Sequence, residues 1–399
     1  MSIKRVGVIG GGQLAWMMGE PARALGVELI VQTPHETDSA VAIASDTILA
    51  SIDDASATAA LASRCDVITF ENEFINLEAL RQLETQGVCF RPNLDALAPL
   101  LDKYHQRCYL RDIGLPVPQF TALGEQASKR ASEQSSKRAG EHFHSLPKMP
   151  DFPLVVKARR LGYDGQGTFI IKDADAWESA LKLLGGAPAI VEEYIPFERE
   201  LAVIAARSVS GEIVVYPVVE TQQENQVCRR VLAGTEISSS IKQEVEAHAH
   251  TLLESLQAVG VFGIELFLTA SGKVLVNEVS PRTHNSGHYT IDACLTSQFE
   301  QHLRAVCGLP LGGVECPKPS VMVNLLGYEH SQTDYRQKRE AIAQIPHAHL
   351  YWYGKTASRP GRKLGHVTIL LDADNATAAR SQLLTLAEQV ESIWYGYLQ

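Results

Sequence analysis

The sequence predicts a chain of mixed class, α/β at its N-terminus and α+β beyond: a doubly wound parallel sheet, then a central domain built on antiparallel hairpins, then a small mixed α/β unit. Three observations carry this expectation. Over residues 4–92, short apolar runs alternate with helix-like segments, the pattern of a parallel sheet covered by helices. From Pro153 the runs lengthen and come in pairs joined by tight turns, as in VFGIELFLTASGKVLVNEVSP. At 399 residues the chain also exceeds the size of one hydrophobic core, so about two or three domains are expected.

The elements follow in order. KRVGVIG (4–10) is a β-branched run, and GGQLAWMMGEPARALG reads as a glycine turn entering an amphipathic helix. VELIVQ (27–32), DTILAS (46–51), DVITFE (66–71) and VCFRP (88–92) are further strands of that sheet. A helix is expected from about Asn93 to Asp112, after which Gly114, Pro116 and Pro118 punctuate the exit, so the first domain is placed at 1–115. The second is placed at 116–305. Its residues 124–150 carry an imperfect repeat, SKRASEQ then SKRAGEH, with almost nothing apolar to bury, which predicts an exposed helix or a mobile insertion. Because the Lys and Arg there alternate with Glu, a solvated surface is favoured over a phosphate contact. PLVVKA, GTFII, AIVEEYI, ELAVIAARSVSGEIVVYPVVE and the VFGIELF pair supply strands, with helices near 173–184, 240–259 and 291–307. The last unit, 306–399, holds SVMVNLLG, HLYWYGK, HVTILLD and a final helix at about 374–392.

Composition removes several function classes. Apolar residues at 45% and charged residues at 21% are ordinary for a folded soluble protein. Thirty-six basic residues against 46 acidic ones leave a charge of -10, which argues against a nucleic-acid or anionic-membrane partner, so any anion must be caught locally. No apolar stretch approaches membrane-spanning length and the chain enters its first strand without a leader-like segment, so a cytoplasmic location is expected. The seven cysteines (65, 89, 108, 228, 294, 307, 316) form no CxxC pair and are expected to be buried reduced thiols.

Gly10, Gly12 and Ala15 form G-x-G-x-x-A between strand and helix, the setting of a dinucleotide fingerprint, but the second strand ends in Gln32 where an acidic residue would bind ribose. An oxidoreductase is therefore discounted. The turn either offers backbone N–H groups to a substrate phosphate or merely allows close packing. KARRLGYDGQGTF (157–169) is more telling: Lys157 ends a buried strand and the glycine loop returns into another strand, a flap able to close over a triphosphate. Its bland alternative is a plain glycine hairpin turn. Glu265, Asn277 and Glu278 lie in paired strands around TASGK; two carboxylates and an amide oxygen inside apolar runs suit a divalent ion better than lone solvated charges. SPRTHNSGHYT, with Arg282, His284, Asn285, Ser286 and His288, and WYGKTASRPGRKLGH, with Lys355, Arg359, Arg362 and Lys363, are anion-binding loops in a net acidic chain, or else surface salt bridges and a Ser286 helix cap.

Taken together, the flap, VEEYI with Glu200, and the Glu265/Asn277–Glu278 pair resemble the ATP-grasp superfamily. Within it GGGQLA, FENE (70–73), RRLGYDGQGT, NEVSPRTHNSGHYT and RPGRKLGH resemble the 5-(carboxyamino)imidazole ribonucleotide synthase family nearly end to end, apart from about 124–150. The resemblance implies a pre-ATP-grasp domain, an ATP-grasp domain and a C-terminal domain, with ATP and Mg2+ as cofactors. It also implies 5-aminoimidazole ribonucleotide and bicarbonate as substrates, and a cytoplasmic homodimer. Residue by residue, it implies that ATP is bound by Lys103, Lys157, the flap Gly162, Tyr163, Asp164, Gly165, Gln166, Gly167 and Thr168, then Glu192, Glu193, Tyr194, Ile195, Glu200, Gln223, Asn277 and Glu278. Glu265 and Glu278 would hold magnesium. Gln13, Glu73, Arg282, His284, Asn285, Ser286, Lys355 and Arg362 would bind substrate, and Asp164, Arg282, His284, Lys355 and Arg362 would act in the chemistry. The rival readings are a formate-dependent glycinamide ribonucleotide transformylase or biotin carboxylase-like ligase and, in another class, a nucleotide-binding protein without turnover.

Overall fold

Alternating residues of the first strands face opposite ways, and both directions are apolar, which a parallel sheet covered on two sides requires. In a computed structural model describing residues 3–124, 152–160, 167–372 and 376–396, β1 (Arg5–Ile9), β2 (Glu28–Thr33), β3 (Asp46–Leu49) and β4 (Val67–Phe70) form a parallel sheet in the order β3-β2-β1-β4. Val6, Val8 and Val31 enter one core with Met18, while Ile9, Ile30 and Phe70 enter another with Leu61 and Leu80. The sheet is doubly wound, as expected. VCFRP contributes a single parallel bridge, Ile68 to Phe90, rather than a strand; Pro92, with no N–H to donate, ends the run. Gln32 is buried and its amide is spent inside the domain, donating to the Ser51 carbonyl (2.7 Å) and accepting from the Thr58 hydroxyl (2.9 Å).

The helix expected over 93–112 is two helices, Leu94–Leu97 and Lys103–Asp112. Pro99 cannot extend the first, and the Asp102 carboxylate caps the second by accepting the Tyr104 and His105 N–H groups. That break aims the second helix at the centre of the molecule. The central region then divides into two sheets. The smaller holds β5 (Phe120–Leu123), β6 (Leu154–Ala158), β7 (Thr168–Ile171) and β8 (Ala189–Glu193) in the order β5-β8-β6-β7, all antiparallel, with helix Ala174–Leu184 packed on it. The repeat at 124–150 lies outside the described residues, apart from Gly124.

The larger sheet has nine described strands: β9 (Phe197–Arg207), β10 (Ile213–Val215), β11 (Val219–Glu224), β12 (Val227–Ala233), β13 (Gly260–Thr269), β14 (Val274–Ser280), β15 (Ser320–Leu326), β16 (Ala348–Trp352) and β17 (Lys363–Leu370). Their order is β14-β13-β9-β11-β12-β15-β17-β16, with β10 on β9. β15 is antiparallel to β12, from Arg230 opposite Val323 to Ala233 opposite Ser320, so the C-terminal strands prolong the central sheet. Helix Ser239–Leu256 buries Val245, Ala249 and Leu252 against one end, and helix Ala376–Tyr395 buries Leu383, Val390 and Trp394 against the other.

The helix expected over 291–307 also divides, into Thr290–Ala293 and Gln298–Cys307, because Ser297 caps the second. The break holds Cys294, which is disulfide-bonded to Cys316. This overturns the expectation of seven reduced thiols: the backbone bond from Leu295 N–H to the Glu315 carbonyl (2.9 Å) brings together cysteines separated by 22 residues. Cys65, Cys89, Cys108 and Cys228 are half-buried and Cys307 is buried, all of them outside the disulfide.

Helix Gln298–Cys307 wedges between the N-terminal and larger sheets, and its His302 joins them. Nδ1 accepts the Val261 N–H (3.2 Å), so the ring proton sits on Nε2 beside the Thr69 hydroxyl (2.7 Å). Burial pushes His302 down to about 4 and His366 to about 3. A neutral imidazole in the fold against one that charges when unfolded means stability is lost as pH falls from about 6.5 through the folded values. We expect the urea midpoint to drop over that window, with His302 alone contributing on the order of 3 kcal/mol by pH 4. An imidazole NMR resonance of His302 titrating near 6.5 would contradict this.

Candidate active site

The two sheets and the N-terminal domain enclose a cavity of about 1530 Å³. Its floor is the β13–β14 hairpin, which the TASGK turn closes in register so that Glu265 stands opposite Glu278. A β-bulge follows at once: Leu266 pairs with Val276, leaving Asn277 unpaired and re-aimed. Glu265 opens to the cavity, yet burial and then Glu278 push its carboxyl up to about 7. Burial would raise Glu278 as well, but Lys103, with Nζ 2.6 Å away, and Lys157 hold it at about 2. Burial and the facing Glu278 thus outweigh the pull of Lys103, Lys157 and Lys363 on Glu265, and the two carboxyls are driven apart in acidity. Two opposed carboxylates in that state fit a divalent ion.

Lys157, 8% exposed at the end of β6, faces this floor from the smaller sheet. Its ammonium lies 2.7 Å from Glu192 and donates to Asn277 Oδ1 at 3.0 Å. Burial lowers its pKa despite Glu192 beside it. Glu192 is itself 3% exposed and paired to Arg107 as well, at the edge of the cavity. Its neighbours Glu193, Tyr194 and Ile195 line the cavity, with Tyr194 and Ile195 just past the end of β8 rather than within it. Glu200 on β9 sits between Thr221 and Phe267 and is raised to about 7 by burial and by Glu265. Thr168 and Gln223 also line the space, and Gly167 leads into β7 with φ +77°. Gly162, Tyr163, Asp164, Gly165 and Gln166 lie outside the described residues.

At the other end, Arg282 pairs with Glu73 (2.9 Å), and Gln13 and Asn285 join the wall. His284 Nε2 stands 3.6 Å from Glu265, and its Nδ1 lies 2.8 Å from the Ser286 hydroxyl. His284 approaches β13 so closely that a Cβ at Gly263 would lie 2.4 Å from the His284 Cβ. Ser286 is buried and its hydroxyl orients this imidazole, which itself lines the cavity. Lys355 and Arg362 donate to backbone carbonyls, of Lys363 (2.8 Å) and Ala357 (2.6 Å); Lys355 also bears electrostatically on Glu71 in the wall, which Lys363 joins.

Some site residues carried no readable signal. The glycine turn is covered by Glu71, whose carboxylate accepts the Leu14 N–H (3.4 Å) and would sit 2.4 Å from a Cβ at Gly12; burial raises it to about 7. Gln106 and Arg107, unlike Lys103, were not singled out from the sequence; they share one face of the helix with it, at the spacing of adjacent helical turns, and reach the site. Arg380, from the last helix, reaches Glu220 on the cavity wall at 2.7 Å beside Arg199.

Comparison with known proteins bears on this geometry. Residues 3–99 match the ribonucleotide synthetase preATP-grasp domain, 109–299 the ATP-grasp domain, and 320–380 the phosphoribosylaminoimidazole carboxylase C-terminal domain. The N5-carboxyaminoimidazole ribonucleotide synthase of Synechococcus elongatus is 51% identical over 393 residues, covering 98% of this chain and 96% of its own. The carboxyaminoimidazole ribonucleotide synthase of Aspergillus clavatus, solved with ATP, is 32% identical with a TM-score of 0.86 and covers 98% of this chain and 99% of its own. The same enzyme solved with ADP and 5-aminoimidazole ribonucleotide is 30% identical with a TM-score of 0.84, over 97% and 98% of the two chains.

Proposed function

The chain belongs to the N5-carboxyaminoimidazole ribonucleotide synthase family, and from that membership we propose how its residues serve the ATP-dependent carboxylation of 5-aminoimidazole ribonucleotide in purine biosynthesis. Bicarbonate attacks the γ-phosphorus of ATP, and ADP leaves with the electrons of the broken P–O bond. The resulting carboxyphosphate releases carbon dioxide and phosphate. The exocyclic amine then forms an N–C bond to carbon dioxide and gives up a proton. Transfer of this kind depends on positioning and on neutralising the oxygens of the phosphoryl group. Lys157 and Lys103 supply fixed positive charge there. Glu265 and Glu278 would hold Mg2+, which when bound neutralises phosphate oxygens. Glu192 to Ile195 offer a backbone edge to adenine, Glu200 an acceptor to ribose, and Thr168 and Gln223 further contacts.

Arg282 and His284 sit where carboxyphosphate and the ribonucleotide would meet, with Gln13, Glu73 and Asn285 around them; Lys355 and Arg362 act from the adjoining loop once they turn from their carbonyls. Asp164 orients the amine on this reading, and the flap keeps water from an acyl phosphate that hydrolyses readily. The proposal extends to a homodimer in the cytoplasm. The observation that supports the reading most is that Glu265, Glu278 and Lys157 line one cavity with Arg282 and His284, the His284 imidazole lying 3.6 Å from Glu265. ADP formation is therefore expected to require both 5-aminoimidazole ribonucleotide and bicarbonate. Equal rates with glycinamide ribonucleotide and formate would sink it.

A further inference from the structure

Helix Lys103–Asp112 stands outside both sheets, yet one face of it is welded to the site. The Gln106 amide pairs with both backbone groups of Val279, donating to the carbonyl and accepting the N–H at 2.9 Å each, beside Glu278. Arg107, 3% exposed, donates through Nε to Glu192 and through Nη2 to Asn277 Oδ1 at 3.4 Å, with Nη1 3.5 Å from the Val276 carbonyl. These two side-chain acceptors, Glu192 and Asn277, are also the two that Lys157 uses. A buried lysine with one carboxylate partner is a closed ion pair, costly to open. With a second cation on the same carboxylate, the trio carries a net positive charge.

We propose that Arg107 is a positioning residue for nucleotide binding: it keeps Glu192 and Asn277 satisfied so that the Lys157 ammonium is free to turn to a polyphosphate. The inference rests on Lys157 as a phosphate ligand. A rigid planar fork suits the task, since guanidinium stays charged when buried and engages several acceptors at once. When Lys157 swings to the nucleotide, neither acceptor is left bare in a site where an unpaired carboxylate is expensive.

The test is titration of the full-length protein with ADP, with steady-state KM values alongside. Arg107→Met leaves one cation on one carboxylate and is expected to weaken ADP and raise the ATP KM by about tenfold, with the ribonucleotide KM moving by less than about twofold. Arg107→Lys keeps the charge and is expected to stay within about threefold of wild type. Arg107→Met combined with Glu192→Gln restores the surplus charge and is expected to recover most of the loss. Were Arg107→Met not to fold, the other two variants decide alone. ADP affinity unchanged in Arg107→Met, equally weak in Arg107→Lys, or not recovered in the double variant overturns the proposal. A Lys157→Ala protein that binds ADP as wild type does removes the premise instead; weak binding there with normal binding in Arg107→Met removes only the inference.

Discussion

Replacing Lys157 with alanine is expected to lower kcat/KM for ATP by about a thousandfold, the scale of losing a fixed charge that stabilises a transferring phosphoryl group. The fold should survive, because Glu192 keeps its Arg107 partner and no carboxylate is stranded. Arginine at this position is expected to rescue poorly: the site is 8% exposed and already holds one guanidinium against the same acceptors, so the larger head has nowhere to lie. Initial rates of ADP release over a range of ATP concentrations check this, and a variant with normal kcat/KM would remove Lys157 from the chemistry.

Glu278→Gln should be nearly as damaging, by about 10²- to 10³-fold in kcat, for a different reason. Its carboxylate is the more strongly ionised of the opposed pair, held at about 2 by Lys103 and Lys157 after burial has pushed the other way. The amide keeps the shape but offers one neutral oxygen, so the rate should recover only at far higher Mg2+. An unaltered Mg2+ dependence would show that the ion is held elsewhere. Lys103, freed of its 2.6 Å partner, is then expected to compensate in part by binding phosphate more closely.

Much of this was legible in the chain. The opposition of Glu265 and Glu278 follows from a short hairpin turn between two apolar runs, because a tight turn sets the register. The doubly wound sheet follows from strand and helix alternating over residues 4–92. Contacts made across long sequence separation were not legible. Arg107 meets Glu192 across 85 residues and Asn277 across 170, and nothing local marks it apart from its helical spacing with Lys103 and Gln106. The Cys294–Cys316 bond rests on a loop closing back on itself, which cysteine spacing does not reveal. Pro99 and Asp102 stand inside 93–112 as helix punctuation and account for the break between the two helices.

The pairing of β15 with β12 has a practical corollary. A fragment ending before Ser320 would leave the β12 backbone with a row of open donors and acceptors, flanked by Leu232 and Val231, which are wholly buried in the intact chain. Such an edge recruits strands from other molecules. Truncated versions made for crystallography or for display should therefore clump, and shortening this enzyme is better attempted elsewhere than at its tail.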